Sequence, residues 1–468
     1  MKAKVSKTYL VFIAVLTAIA ATVALTSCQK GGESSSQRTT AAASAATQDE
    51  AAAATLPEGS GSAKLTESDI AVNETIENAE DGGHAIVADG ETLSYANVRV
   101  DKTGEADGDE ADFYGENAAV YAANGGTLTL KDMVVKTDGT HANAVFSYGE
   151  GTTVNIANAY IETSGNCSGG LMTTGGGTMN AENLTINTSG NSSAAIRSDR
   201  GGGTVNVTGG NYTTSGTGSP VIYSTADITV SDATMTSTAS QGVVVEGKNA
   251  VTLNNVNLTA DNNKKNSDKS SWYQAVMIYQ SMSGDAAEGA SRFAMNGGTL
   301  TNQNGDVFFI NNTATEITLN NAQITNNGNG VFLRAAAAGW GSEGSNGGQV
   351  TLNASNQIIN GDMIVDSVSH LNLYLSNNAS FTGAINSSGQ DGEVYVEIED
   401  GSIWTLTGDS YITGMTCGAN AINLNGHKLF IDGTSYTEGS ASFGDPIAVQ
   451  STGNGHGGGN PPAKPEND

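Results

Sequence analysis

Apolar and polar residues alternate along much of this chain, and the alternation itself recurs. Leu128, Val154, Met179, Val205, Ile228 and Val251 fall 26, 25, 26, 23 and 23 positions apart. Each opens a segment of period two, such as Thr127-Leu128-Thr129-Leu130 or Thr204-Val205-Asn206-Val207. Period two places alternate side chains on one face of a strand. Self-similarity at a spacing of roughly 20–50 residues predicts stacked supersecondary units that share one core.

Each repeat resolves into three strands. The first ends in a two-residue corner: Lys131-Asp132, Ala157-Asn158, Glu182-Asn183, Thr208-Gly209, Ser231-Asp232, Asn254-Asn255, Asn296-Gly297 and Asn320-Asn321. The second member is always Asp, Asn or Gly, the residues that tolerate the left-handed backbone of a sharp corner. The second strand supplies an inward column of Val135, Ile161, Ile186, Tyr212, Met235, Leu258, Leu300 and Ile324. The third supplies Val145, Leu171, Ile196, Ile222, Val245, Ile278, Ile310 and Leu333. One coil per repeat, paired in parallel with the next, predicts an all-β chain: a single-stranded right-handed parallel β-helix over residues 66–436. Ten or more coils would make a rod on the order of 50–65 Å long. An α-solenoid is excluded by the period, and the 60 glycines and 6 prolines suit tight corners between paired strands.

The residue after each inward third-strand position is expected to face solvent. That column reads Tyr121, Phe146, Met172, Arg197, Tyr223, Glu246, Tyr279, Asn311 and Arg334, with Asp366 beside Arg334. Aromatic faces interspersed with Arg, Glu and Asn suit an extended glycan lying along the rod, and Arg197 beside Tyr223 suggests a cation–π pair. The competing reading is ordinary packing of side chains on a strand surface. Two long loops break the period. One precedes Trp272 and Tyr273 and carries Lys264, Lys265 and Lys269; the other, 335–348, surrounds Trp340. Both are candidate binding loops, or else flaps packed on the rod. A third loop holds Glu105, Asp107, Asp109, Glu110 and Asp112, whose spacing fits no calcium motif and reads as a solvated acidic loop. No metal or cofactor is expected.

The N-terminus reads as a processing signal. Lys2, Lys4 and Lys7 precede an uncharged, mostly apolar run over 9–25, then Leu25-Thr26-Ser27-Cys28. This order resembles the lipobox of bacterial lipoproteins, which implies a signal peptide at 1–27 and lipidation of Cys28. Residues 28–65 then read as a flexible tether, and 437–468 as an end segment with a disordered tail. Removing 1–27 takes away three Lys and no acids, leaving 17 Lys+Arg against 48 Asp+Glu, a formal charge of 17 − 48 = −31. That balance argues against nucleic acid, and against any membrane contact except through the lipid anchor. Cys167 and Cys417 lie roughly ten coils apart, too far to pair at about 4.8 Å per coil.

The segment Ser402-Ile403-Trp404-Thr405-Leu406-Thr407-Gly408-Asp409-Ser410, followed by Ala421-Ile422-Asn423-Leu424-Asn425-Gly426-His427, resembles the last rungs of adhesin-like and autotransporter-passenger β-helices. The domain as a whole is similar to adhesin-like β-helix proteins of bacterial surfaces within the pectin-lyase-like fold group. Residues after 436 carry nothing that reads as a membrane β-barrel, so the anchor implied is lipid. The resemblance carries no catalytic residue. It implies a non-enzymatic, surface-anchored lipoprotein that is adhesin-like or binds extracellular polysaccharide or a host or cell-surface glycan. The alternative is a polysaccharide lyase or glycoside hydrolase of the same fold, which would need clustered carboxylates. The polar cluster Arg197-Ser198-Asp199-Arg200 is the densest candidate, but Asp199 is flanked one coil away by Thr174 and Thr225, which offer no second carboxylate.

Overall fold

The computed structural model describes residues 64–281 and 283–449. Cys28, the expected signal peptide, nearly all of the expected tether and the tail from 450 onward lie outside these residues. Within them the chain runs through 39 short strands and one six-residue helix, Asp109–Tyr114. First- and second-strand segments join one 21-stranded sheet, and third-strand segments join an 11-stranded sheet. Near the C-terminal end Ile358–Asn360, Ser380–Thr382, Ile403–Thr405 and Ile422–Asn423 form a four-stranded sheet. Strands pair in parallel, coil over coil. The protein is a parallel β-helix. Among the described residues no helix is long and apolar enough to cross a membrane.

The periodic residues stack as the pattern predicts. Leu128, Val154, Met179, Val205, Ile228 and Val251 are register partners in succession, and all are buried. So are Val135, Ile161, Ile186, Tyr212, Met235, Leu258 and Leu300, with Ile324 at the end of the column half-buried. Each fully buried aliphatic side chain contributes about 1.5–3 kcal/mol, and stacked coils share the benefit because none could shield its face alone. The corners hold the left-handed backbone: φ is 53° at Asp132, 51° at Asn158 and Asn183, and 52° at Asn255. Between coils the corner amides bond each other, Asn183 Nδ2 donating to Asn158 Oδ1 at 2.9 Å.

The third-strand column needs correction. Ile222 pairs with Val243 rather than Val245, and Ile310 pairs with Ala335 rather than Leu333. Both slips are of two residues. A two-residue slip keeps every side chain on its own face, so the core stays apolar while the outer column splits in two. One line runs Tyr121, Phe146, Met172, Arg197, Tyr223, Val244, Met277, Phe309 and Arg334; the other holds Glu246, Tyr279 and Asn311.

The 402–410 segment forms terminal rungs. Trp404 is fully buried, stacks on Phe381 at 5.5 Å and donates from Nε1 to the Gly383 carbonyl at 2.9 Å. An antiparallel pair, Leu429–Ile431 with Thr434–Ser435, closes the end. Beyond it the chain folds back: Ser442 bridges Cys417, and Asn372 exchanges two hydrogen bonds with Ile447, each 2.9 Å. Such caps cover strand edges that would otherwise pair with other chains.

Candidate functional site

The third-strand column does not face solvent. Tyr121 is 5% exposed, Arg197 2%, Tyr223 3%, and Glu246 and Tyr279 0%. They do point away from the β-helix core, but a second layer covers them. The helix Asp109–Tyr114 and Gly115 lie over Tyr121 and Phe146, and the segments around 280–290 and 336–346 lie over the rest. Because that layer is built from sequence-distant insertions, the alternation in the strands alone gave no sign of it.

Under the cover the polar members of the column bond one another. The Tyr223 hydroxyl donates to Glu246 Oε2, the Tyr279 hydroxyl donates to the same oxygen at 2.9 Å, and the two phenols lie 3.2 Å apart. Burial pushes the Glu246 carboxyl above its ordinary range, and raises both phenols with the help of the Glu246 charge. Arg197 donates from Nη2 to Asp199 Oδ2 at 2.8 Å, so its guanidinium is held by a carboxylate. Asp199 is fully buried, and burial pushes its carboxyl up to about 7 against the pull of Arg197.

The insertions bring Asp199 the neighbour that its own strand lacks. Asp285 is 7% exposed and accepts from Nε and Nη2 of Arg200 at 3.0 and 2.9 Å. Arg200 also reaches Asp109 at 3.5 Å and lies 3.6 Å from the ring centroid of Phe113. One arginine thus clamps both covers to the rod. Asp285 also lines a groove of about 560 Å³ with Glu150, Lys248, Arg292 and the glycine corners at 175–176 and 201–203.

The acidic loop is shorter than expected, because Asp109, Glu110 and Asp112 enter the helix. Asp112 turns inward, 3.0 Å from Nδ1 of His141. With Cys167 they form a buried cluster whose ligand atoms lie within 4.8 Å of one another. Cys417 is a free, buried thiol, so Cys167 and Cys417 do not pair with each other.

Arg334 and Asp366 are not neighbours in register, since Arg334 pairs with Ile364. The Arg334 guanidinium instead binds the fully buried Asp306 at 2.6 and 3.2 Å, and Asp366 accepts from the Ala337 amide at 2.7 Å. Trp340 is 1% exposed and packs edge-on against Tyr279 at 5.1 Å, so its loop is a flap on the rod. Trp272 is half-buried between Phe309, at 5.4 Å, and the Arg334 guanidinium, at 4.6 Å.

Of the residues singled out in the sequence, Trp272 lines open space. With Tyr273 it lines a groove of about 320 Å³ that it shares with Gln303, Asn304, Asn327 and Asn329. Three successive corners build it: Asp306 N donates to Tyr273 O at 2.8 Å and Asn329 N to Gly305 O at 3.2 Å, which holds the corners one above the other. Gly305, at φ 74°, leaves no room for a Cβ against the Tyr273 carbonyl. The four amides were missed in the sequence. Their signal was the recurrence of Asn302-Gln303-Asn304-Gly305 as Asn326-Asn327-Gly328-Asn329 at the corner after the second strand. Comparison of the chain with family models, curated proteins and solved structures finds no match.

Proposed function

We propose that this chain is a non-enzymatic, adhesin-like lipoprotein, held at the extracytoplasmic face of a bacterial membrane by lipid at Cys28, whose β-helix binds extracellular polysaccharide. The observation that supports this reading is the groove at Trp272 and Tyr273. Two aromatic side chains share the groove with exposed or half-exposed amides, repeated at the coil spacing. Ring faces pack on the apolar side of a sugar while amides exchange hydrogen bonds with hydroxyls, so the groove suits a chain of sugars running along the rod. The buried column Tyr121, Arg197, Tyr223, Glu246 and Tyr279 has no part in this reading, because the second layer covers it.

The test is titration of the full-length chain against a panel of plant, host and microbial glycans, with Tyr273→Ala and Asn327→Ala beside it. Binding that falls at least tenfold in both variants supports the groove. Binding unchanged in both, or no binding to any glycan, removes it.

A second reading rests on Asp285, which gives Asp199 a carboxylate neighbour at the edge of the larger groove. That arrangement suits a hydrolase, but both carboxylates are held by arginines. Release of reducing-end or unsaturated products from any polymer, abolished by Asp285→Asn, would favour it.

A further inference from the structure

We infer that the glycan taken by the Trp272–Tyr273 groove is an anionic one, its carboxylate or sulfate groups met by Lys264, Lys265 and Lys269. This deepens the proposed glycan reading and rests on it.

Among the described residues Arg99, Lys131, Lys136, Arg197, Arg200, Arg292 and Arg334 each have a carboxylate within ion-pair distance, whereas Lys64, Lys102, Lys248, Lys264, Lys265, Lys269 and Lys428 have none. Three of these seven unmatched ammonium groups fall on one loop of a chain with 48 acidic residues. Asp261 and Asp268 share the loop, which leaves it one positive charge in excess.

Two of the three lysines adjoin the groove. Lys264 and Lys265 line a small cleft, of about 30 Å³, that shares Trp272 and Tyr273 with the amide groove. The Lys265 ammonium stands 5.9 Å from the Tyr273 ring centroid, and that of Lys269 stands 5.9 Å from the Trp340 centroid. Trp272 and Tyr273 therefore line both the amide groove and the cleft of Lys264 and Lys265. A sugar stacked at Tyr273 would adjoin both the amides and Lys265. No carboxylate lines the groove itself, and the nearby Asp306 is already neutralised by Arg334.

Charge placement of this kind gives specificity as well as attraction. The molecule's net negative field repels a polyanion at long range, but that field is screened over about 8–10 Å at physiological salt. Contact pairs with the lysines survive that screening better than the long-range repulsion does. Lysine rather than arginine fits a ligand whose charged groups vary in position along a chain, since the ammonium is a point charge on a long stem.

The experiment titrates the full-length chain with polygalacturonate, dextran sulfate and uncharged dextran, and repeats the series with the triple variant Lys264→Gln, Lys265→Gln, Lys269→Gln. The expected result is at least tenfold tighter binding of one or both anionic polymers than of dextran, lost in the triple variant and weakened by added salt. The two anionic arms separate carboxylate from sulfate. Equal binding of charged and uncharged polymers, or a triple variant that binds as the parent does, overturns the anionic assignment and leaves the groove standing. If no polymer and no glycan of the wider panel binds, the glycan reading fails and this inference with it.

Discussion

The Tyr279 hydroxyl donates to Oε2 of Glu246 at 2.9 Å, and neither residue has any exposed surface. The pair lies on the outer face of the third-strand sheet, where the strand pattern reads as solvent-facing. A buried carboxylate depends on its donors. Tyr279→Phe removes one of them and should lower unfolding stability by about 1–3 kcal/mol. Glu246→Gln keeps an acceptor without the charge and should cost less. Urea unfolding of the two variants checks the order; a costlier Glu246→Gln would show that the charge itself is needed.

Asp199 should make stability fall as pH rises. The folded chain holds its proton up to about 7, whereas the carboxyl ordinarily releases it near 3.8. Between those values the unfolded chain binds fewer protons, so the Asp199 contribution is complete below 3.8 and lost on the way to about 7. Asp199→Asn should flatten that part of the Tm-against-pH curve. An unchanged slope would contradict the placement of Asp199.

Arg200 should hold the two covers in place. Arg200→Ala should raise hydrogen exchange over 109–114 and 283–290 together, while the inward columns around Val205 and Ile228 stay protected. Loosening of only one cover would show that the clamp is single.

The corners should discriminate among small residues. Asn183 combines φ 51° with a bond to Asn158. Asn183→Gly keeps the backbone and loses the bond, while Asn183→Ala loses both and should be the less stable by about 1–2 kcal/mol. Thermal melts of the two variants rank them.

The inward columns and the corners were legible in the sequence because each depends on one coil and its neighbour. Period two fixes the face, and Asp132, Asn158 and Asn183 fix the turn. The cover was not legible for a physical reason. Whether Tyr223 meets water depends on where Ala336 and Trp340 lie, and nothing in its own strand records that. The register slips between Ile222 and Val243 and between Ile310 and Ala335 were equally hidden, since a shift of two leaves the apolar face intact. Trp340 shows the same limit: an aromatic on a long loop reads alike as a ligand contact and as a flap. The amide corners at Gln303 and Asn327 were visible in the sequence, but only once the corner after the second strand was read as a column.

The lipid anchor is separately testable. Mass spectrometry of the mature N-terminal peptide should find acylated Cys28, and Cys28→Ser should release the chain from membranes. An unmodified or disulfide-linked Cys28 would contradict the anchor.

The central structural claim is that the aromatic column of the third strand is sealed beneath a second layer while Tyr273 stands at an open groove. Hydroxyl-radical footprinting of the native full-length chain measures both at once. Tyr273 should be labelled readily, and Tyr223 and Tyr279 should be labelled only after unfolding; labelling of Tyr223 and Tyr279 in the native protein at the rate of Tyr273 would contradict the account.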